Sequence, residues 1–384
     1  MCVSVEEKSV NGEVLAPAAR RLRVAVAGLG VIGEGAALRL ADVAEPYALC
    51  AALVRDTTKP RAGALSSLRT YSDPNVLLVE HPDVVVDALP SGEAGRRLIE
   101  AALSRGIGIV TANKQAIAGS LSYLHELASR NNAPFAYSPS VGGGAPMVET
   151  VRKARAAGDV RSISAILNGT VNYILSAMKA GASFDDAVKA AQEAGFAEPD
   201  PTADLSGEDA RAKISILTYE AFGREMDQKA IRLEALTKER AEEFMKIGGV
   251  WKQLSVVKRA PDGGISARVR FERVDDDPLF SRIEGEGNAL RVVNADGGEF
   301  VCEGKARAAP RPSPAFSPNS PSLRAGRQAT TRADAATKRQ GHVRARQHRS
   351  FGAARRSRKR SSSRLAPPSS ATRTAPCARV GSTH

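Results

Sequence analysis

The sequence predicts an α/β fold, with a parallel β-sheet in the first part of the chain and an α+β domain in the second. Short apolar strands alternate with helical segments over the first 137 residues, which is typical of parallel strands joined by right-handed helical crossovers. Glycines and prolines then interrupt the pattern, and helices and strands are mixed beyond them. We therefore expect two domains, residues 22–137 and 138–304, with a flexible leader over residues 1–21 and a tail over residues 305–384.

The first strand, Arg23–Ala27, runs directly into a glycine motif and then a helical segment. In that motif Gly28 permits a tight turn, Gly30 lets the backbone approach a pyrophosphate, and Gly33 allows close contact between helix and strand. Because the motif lies between a strand and a helix, it predicts a Rossmann-type dinucleotide site. The residues that would form it are Gly28, Gly30, Val31, Ile32 and Gly33. A simple strand–helix turn is the alternative interpretation.

Charged residues follow the second strand, Ala48–Val54. An acid at this place usually holds the ribose hydroxyls of NAD, whereas an arginine suits the 2′-phosphate of NADP. Arg55 comes first and Lys59 follows, so we expect NADP. Asp56 keeps NAD open as the cofactor, and a solvated charged loop is the third interpretation.

Two further strands, Val84–Leu89 and Ile107–Val110, are predicted within the parallel sheet, and Phe135–Tyr137 follows a helix over Leu121–Arg130. Lys114 comes shortly after Val110. It therefore lies near the carboxyl end of a parallel strand, where open α/β sheets bind their ligands. A lysine that merely starts a surface helix is the alternative.

The second domain begins after the break Ser138–Pro146, whose glycines can expose backbone carbonyls to a ligand or act as a hinge. Apolar periodicity predicts the following mixture of elements. The helices are Val148–Ala157, Thr170–Lys179, Phe184–Ala194, Lys229–Leu236 and Glu239–Ile247, and the strands are Ser162–Leu167, Val250–Arg259, Ile265–Val274 and Leu290–Val293.

A further helix brings polar residues together. Asp209 and Lys213 are four apart near its start, so their side chains face the same way. Ser206 can cap this helix, and Glu198 and Asp204 arrive from the preceding loop. Such a cluster suits a small polar substrate, whereas an ordinary surface ion pair is the alternative interpretation.

The net charge of +13 arises from the tail alone. Residues 305–384 hold 19 of the 55 Lys and Arg residues and one of the 42 acids, which leaves 36 basic and 41 acidic residues for the first 304. The tail is rich in Arg, Ser, Ala and Pro, and this composition predicts disorder. Its run Arg355–Arg360 can attract nucleic acid non-specifically, but a solvated run without a partner is the favoured interpretation, and we expect no other contact with nucleic acid.

The location of the protein is suggested by what the sequence lacks. No run of eighteen apolar residues is present, so we expect no membrane span. The four cysteines are scattered and do not have metal-ligand spacing. We therefore expect a cytoplasmic protein, with a short organelle leader as the alternative.

From about Arg23 to Gly304 the chain resembles homoserine dehydrogenase. The resemblance is carried, in order, by Asn113–Lys114, Val141–Pro146, Ile166–Leu175, Gly195–Pro201, Asp204–Lys213 and Gly287–Ala289. It implies NAD(P)H-dependent interconversion of L-aspartate 4-semialdehyde and L-homoserine, a step toward threonine and methionine. It also implies a homodimer joined through the second domain.

The resemblance implies a role for each residue of the polar cluster. Lys213 would protonate the carbonyl oxygen and Asp209 would orient it. Lys114 would lie near the nicotinamide and the carbonyl. Glu198 and Asp204 would bind the ammonium group of the substrate.

The resemblance also implies a sodium site, built from the backbone carbonyls of Val141, Gly143 and Ala145 and from a glutamate. This chain has Ser138 in place of that glutamate, so the site has lost its charged ligand.

A larger departure follows Lys305, where the family continues with a glycine-rich turn and a helix that returns to the first domain. Here the chain changes abruptly to Ala306–Pro314. We hypothesise a reading-frame shift or a gene-model error at this point. The alternative function is then a truncated or frame-shifted homologue that binds nucleotide but is catalytically impaired.

Overall fold

The computed structural model describes residues 20–43, 46–61 and 63–305. The expected leader and the expected disordered tail therefore lie outside the described residues, apart from Arg20, Arg21 and Lys305. The described part of the chain forms two six-stranded sheets with helices packed on them.

The first sheet is entirely parallel, with strand order β3-β2-β1-β4-β5-β6. Its strands are β1 (Leu22–Ala27), β2 (Tyr47–Leu53), β3 (Thr70–Tyr71), β4 (Val84–Asp87), β5 (Gly108–Thr111) and β6 (Phe135–Ala136). The helices between them are α1 (Val31–Asp42), α2 (Pro74–Val79), α3 (Gly92–Leu103), α4 (Lys114–Ile117) and α5 (Leu121–Arg130). This order is the doubly wound one, in which the chain reverses direction between β1 and β4. The predicted Rossmann-type sheet is confirmed.

Burial on both faces explains why these strands were visible in the sequence. Residues Val24–Ala27 of β1 and all four residues of β4 are buried. Sheets covered by helices on both sides favour such continuous apolar runs. Asp87, at the end of β4, is the polar exception.

The second sheet has strand order β12-β11-β7-β9-β10-β8 and is antiparallel, except that β8 runs parallel to β10. Its strands are β7 (Val160–Ile166), β8 (Arg232–Leu233), β9 (Trp251–Arg259), β10 (Ile265–Arg273), β11 (Gly287–Asn294) and β12 (Glu299–Lys305). The helices of this part are α6 (Met147–Ala157), α7 (Gly169–Lys179), α8 (Phe184–Glu193), α9 (Thr202–Leu205), α10 (Glu208–Phe222) and α11 (Lys238–Ile247). The predicted α+β character is confirmed.

The predicted helix over Lys229–Leu236 is wrong. The chain makes only a 3₁₀ turn there, because the Asp227 carboxylate accepts a hydrogen bond from the backbone of Lys229 and caps a single turn. The chain then extends as β8 and pairs with β10 at the edge of the sheet. Pairing with β10 thus prevailed over helical propensity, although Arg232 is exposed and Leu233 only partly buried.

A buried polar network around Tyr137 and Glu220 connects a helix of the first part of the chain with two helices of the second. Glu220, near the end of α10, accepts two hydrogen bonds from Arg152 of α6, Nε to Oε2 at 3.0 Å and Nη2 to Oε1 at 2.7 Å. The Tyr137 hydroxyl also donates to Glu220, and the Nε2 atom of His125 lies 2.8 Å from that hydroxyl. The network therefore ties α5, α6 and α10 together beside the junction of the two sheets.

This network predicts a stability loss for Glu220→Gln. The substitution keeps the shape of the side chain but removes the charge that Arg152 faces in a partly buried site. Because Arg152 is partly exposed, we expect the free energy of unfolding to fall by about 2 kcal/mol. Urea denaturation measures it. Glu126→Gln, which breaks an exposed pair with Arg130, is the matched control and should cost about 0.5 kcal/mol or less. Equal losses in both variants would contradict a special role for Glu220.

Candidate functional site

The glycine turn after β1 has the geometry of a nucleotide cradle. Gly28 has φ +85°, and a Cβ on Gly33 would lie 1.7 Å from the carbonyl oxygen of Gly28. By contrast, no protein atom of the described residues lies within 4 Å of a Cβ built on Gly30. Val31 and Ile32, in the first turn of α1, are 80% and 55% exposed. Open backbone beside the start of a helix fits a pyrophosphate group.

The loop after β2 presents exposed basic side chains, whereas the carboxylate of Asp56 is engaged in hydrogen bonds. Asp56 accepts hydrogen bonds from the Thr58 backbone at 2.8 Å and the Thr58 hydroxyl at 2.6 Å, and these bonds lower the pKa of Asp56. Arg55 and Lys59 are exposed. Among the described residues, no side chain forms a hydrogen bond or ion pair with the Arg55 guanidinium.

The centre of the site is the Asp209 carboxylate, which two lysines share. The Nζ atom of Lys213 lies 2.6 Å from Oδ2, one helical turn along α10. The Nζ atom of Lys114, the first residue of α4, lies 2.9 Å from Oδ1. Lys213 also donates to the carbonyl oxygen of Leu167 at 2.9 Å. The structure therefore brings together the three residues predicted to be catalytic.

Ser206 does not cap α10, contrary to the sequence-based expectation. The helix begins at Glu208, and its N-cap is Gly207, whose φ of 86° turns the chain sharply between α9 and α10. This turn leaves the Ser206 hydroxyl 3.4 Å from the Glu208 nitrogen, a long contact. Only glycine adopts this backbone conformation readily.

The pKa values in the site depend on the burial of the Asp209 carboxylate and on the lysines beside it. Burial acts to raise the pKa of Asp209, but the ammonium groups of Lys213 and Lys114 outweigh it and hold that pKa below its usual value. Burial acts to lower the pKa of Lys114, yet Asp209 holds it above its usual value. Asp209 and Lys114 therefore both stay charged at neutral pH.

The predicted substrate-binding acids lie at different depths. Asp204 is largely enclosed, and burial together with the nearby Asp209 charge raises its pKa. Glu198 is exposed at the rim, and its charge contributes to the raised pKa of Lys114. Both acids therefore act electrostatically on the same charged cluster.

Asn168 is a site residue for which sequence reasoning gave no role. Its Nδ2 atom donates to Asp204 Oδ1 at 2.9 Å and approaches Asp209 Oδ2 at 3.5 Å. Its Oδ1 atom accepts from the Val171 nitrogen and so caps α7. An Asn directly after a strand and before a helix was the available signal, because that position places an amide at a strand end.

Asn172, in the same motif, has a structural role instead. Its Nδ2 atom donates to backbone carbonyls of one loop, those of Ile283, Gly285 and Gly287. The buried Lys252 ammonium donates to Asn172 Oδ1 at 2.8 Å. Burial lowers the pKa of Lys252 to about 8. The motif thus serves both the site and the loop behind it.

The predicted cation turn carries no charged ligand. The Ser138 hydroxyl is buried and has no hydrogen-bond partner among the described residues. The carbonyl of Ala145 accepts from the Met147 nitrogen at 2.8 Å, and Val141 and Gly143 lie in the same turn. Across the described ranges, no three His, Cys, Asp or Glu side chains are grouped to hold a metal ion. A neutral hydroxyl in place of a carboxylate fits sodium poorly.

Within the part of the chain that the structure covers, no helix combines the length and the apolar character needed to cross a membrane.

Comparisons with known proteins match both parts of the chain. A family model described as homoserine dehydrogenase matches residues 146–312, and the homoserine dehydrogenase NAD-binding domain matches residues 28–138. The first match ends beyond residue 304, where we expected the resemblance to stop.

Named relatives support the same family. Homoserine dehydrogenase of Neisseria gonorrhoeae is 33% identical over 286 residues, 72% of this chain and 66% of the relative. The enzyme of Helicobacter pylori is 32% identical over 297 residues, 74% and 69% of the two chains. A solved homoserine dehydrogenase from Thiobacillus denitrificans has a TM-score of 0.71 at 28% identity, covering 84% of this chain and 76% of that one. The chain thus spans about two thirds of the length of these curated relatives.

The shared carboxylate predicts a large stability loss for Asp209→Asn. Two ammonium groups would then face each other in a mostly buried site without the carboxylate that both of them contact. We expect the free energy of unfolding to fall by about 3 kcal/mol, as measured by urea denaturation.

Two companion variants test the cause of that loss. Asp209→Asn combined with Lys114→Met should recover part of the stability, because it removes one of the opposed charges. Glu208→Gln, in the same helical turn but 44% exposed, should cost about 0.5 kcal/mol or less. No recovery in the double variant would argue against repulsion between the lysines.

Proposed function

The chain belongs to the homoserine dehydrogenase family, and on that premise we propose that it interconverts L-aspartate 4-semialdehyde and L-homoserine with NAD(P)H. The observation that carries the proposal is the contact of Lys114 and Lys213 with one carboxylate. Lys114 follows a strand of the nucleotide-type sheet, and Lys213 lies on a helix of the second part. This contact supports a proton-donor role for Lys213, because it lies beside the edge of the sheet where a cofactor would lie.

Lys213 is the proposed proton donor. Its ammonium group has three N–H bonds, and two of them are used by Asp209 and the Leu167 carbonyl. The third remains for the carbonyl oxygen of the substrate. Asp209 accepts a hydrogen bond from the lysine and fixes its direction. A reduced nicotinamide, when bound, supplies the hydride to the aldehyde carbon.

Lys114 and the two outer acids complete the proposed site. Lys114 adds a second positive charge where negative charge develops on the substrate oxygen. Asp204 and Glu198 would bind the ammonium group of the substrate, and that cation would offset the repulsion between Asp204 and Asp209.

The residues around the glycine turn fit a dinucleotide, since the space beside Gly30 is open and the start of α1 is exposed. We propose NADP as the preferred cofactor, supported by the exposed Arg55 and by the engagement of Asp56 with Thr58. Sodium is not part of the proposal, because Ser138 offers only a neutral hydroxyl.

The proposal further includes a cytosolic homodimer, joined through the second sheet. Its support is the family resemblance, together with the edge strand β12, on which Val301 is 46% exposed. The proposal does not include binding to nucleic acid.

Steady-state oxidation of homoserine tests the proposed function. Lys213→Ala should lower kcat by about 10²–10⁴-fold, the usual contribution of a general acid, while NADPH still binds in a fluorescence titration. The control is Lys189→Ala, whose side chain is 74% exposed on α8, and it should leave kcat unchanged. Normal NADPH binding without any turnover by the wild type would instead support the impaired nucleotide-binding homologue.

Cofactor preference has its own test at Arg55. Arg55→Ala should raise KM for NADP⁺ by about tenfold, because a charge-assisted contact to the 2′-phosphate is lost. KM for NAD⁺ should stay the same. Arg97→Ala, on the exposed side of α3, serves as the control for a lost surface charge. A parallel rise of KM for both cofactors would show that Arg55 does not read the 2′-phosphate.

A further inference from the structure

Asp87 is a buried acid that the proposed chemistry does not use. It ends β4, the central strand at the point where the sheet reverses direction, and it is 0% exposed. No Lys, Arg or His in the described ranges forms an ion pair with it, and burial raises its pKa to about 6. A buried charge without a counter-charge weakens a fold, so stability alone does not explain its presence.

The hydrogen bonds of Asp87 lead to Lys114. The Thr111 hydroxyl donates to Asp87 Oδ2 at 2.8 Å and accepts from the Asn113 nitrogen at 2.9 Å. Asn113 is the N-cap of α4, and its Oδ1 atom accepts from the Ala116 nitrogen. Lys114 is the first residue of that short helix. The carboxylate thus fixes the turn from which the lysine extends.

Close packing holds this arrangement in place. A Cβ on Gly95 of α3 would lie 2.3 Å from Asn113 Nδ2 and 3.1 Å from Asp87 Oδ2. The Asn113 amide also donates to the Ser91 carbonyl at 2.9 Å. There is therefore no room for the turn to adopt a second position against α3.

The other carboxylate oxygen of Asp87 accepts a hydrogen bond next to the glycine turn that follows β1. Asp87 Oδ1 accepts from the Leu89 nitrogen at 3.0 Å. The neighbouring Ala88 carbonyl lies against Gly28, 2.7 Å from where a Cβ would be. One carboxylate therefore supports both the lysine turn and the turn behind the cofactor cradle.

We propose that Asp87 is a positioning residue, which holds the turn after β5 so that Lys114 reaches Asp209. This inference rests on the proposed function for the role of Lys114, but its structural part does not require turnover. In this proposal, the buried Asp87 aligns Lys114 although the two side chains are not in direct contact.

Asp87→Asn is the first test. Asparagine can still accept from the Leu89 nitrogen, but its amide would donate toward Thr111 and reverse the hydrogen bond there. We expect kcat for homoserine to fall by about tenfold to hundredfold, as for a small displacement of a catalytic group, with the Kd for NADPH unchanged. Thr111→Val should give the same loss, whereas Thr111→Ser keeps the hydroxyl and should retain wild-type kcat. An unchanged kcat in Asp87→Asn would overturn the proposal.

Thermal stability distinguishes positioning from a purely structural role. A carboxyl whose pKa is higher in the folded than in the unfolded protein stabilises the fold at low pH, and that stability is lost as the pH rises through about 6. At about pH 7.5, Asp87→Asn should therefore unfold at no lower temperature than the wild type. A lower Tm together with proportional losses of kcat and NADPH binding would indicate a structural role only.

Coupling and labelling complete the test. If Asp87 acts through Lys114, adding Asp87→Asn to Lys114→Ala should not lower kcat further, and an additive loss would overturn the proposal. Independently of turnover, acetylation followed by peptide mass spectrometry should show Lys114 labelled severalfold faster in Asp87→Asn, because the lysine leaves Asp209. Unchanged labelling would reject the inference, whereas absence of turnover in the wild type would reject only the proposed function.

Discussion

The charge balance at Asp209 is the constraint on which the rest of the structure depends. The carboxylate is buried, and an ionised acid is tolerated there only because ammonium groups reach both of its oxygens. One lysine follows a strand of the first sheet and the other lies on α10. The interaction that assembles the site is therefore also one of those that join the two parts of the chain. A change that separates them would leave charges unpaired, which couples stability to function at this point.

Much of the fold could be predicted because its strands are buried on both faces or alternate clearly. The central strand β4 reads as an apolar run, and the glycine turn follows β1 without a gap. Strand β12 was missed although it has seven residues, because none of them is fully buried. Other failures occurred where elements are too short to show a period. Strands β3 and β8 have two residues each, and β8 takes its position from pairing with β10 rather than from its own sequence. Local propensity does not contain that information.

The residues of the site likewise include some that could be predicted from the sequence and some that could not. Asp209 and Lys213 could be predicted as a pair because helical spacing alone brings them together. The contact of Lys114 with Asp209 depends on how α4 and α10 pack, and no spacing in the chain encodes it. Asp87 was not identified because a buried polar residue at a strand end looks like any other residue of the strand. Asn168 was given no role because an asparagine before a helix is also an ordinary cap. Their roles appear only when the hydrogen-bond partners are known.

Helix α10 connects the charged cluster at Asp209 with the junction of the two sheets. Asp209 lies in its first turn and Glu220 near its end, eleven residues apart, or about 16 Å along the helix axis. Each end is held by ion pairs from other elements, and Ile214, Ile216 and Leu217 between them are fully buried. A closely packed helix moves as a unit rather than by bending. The Arg152–Glu220 pair therefore holds the end of the helix that carries Lys213, about 10 Å from that lysine along the helix axis, and one helix belongs to both the site and the junction.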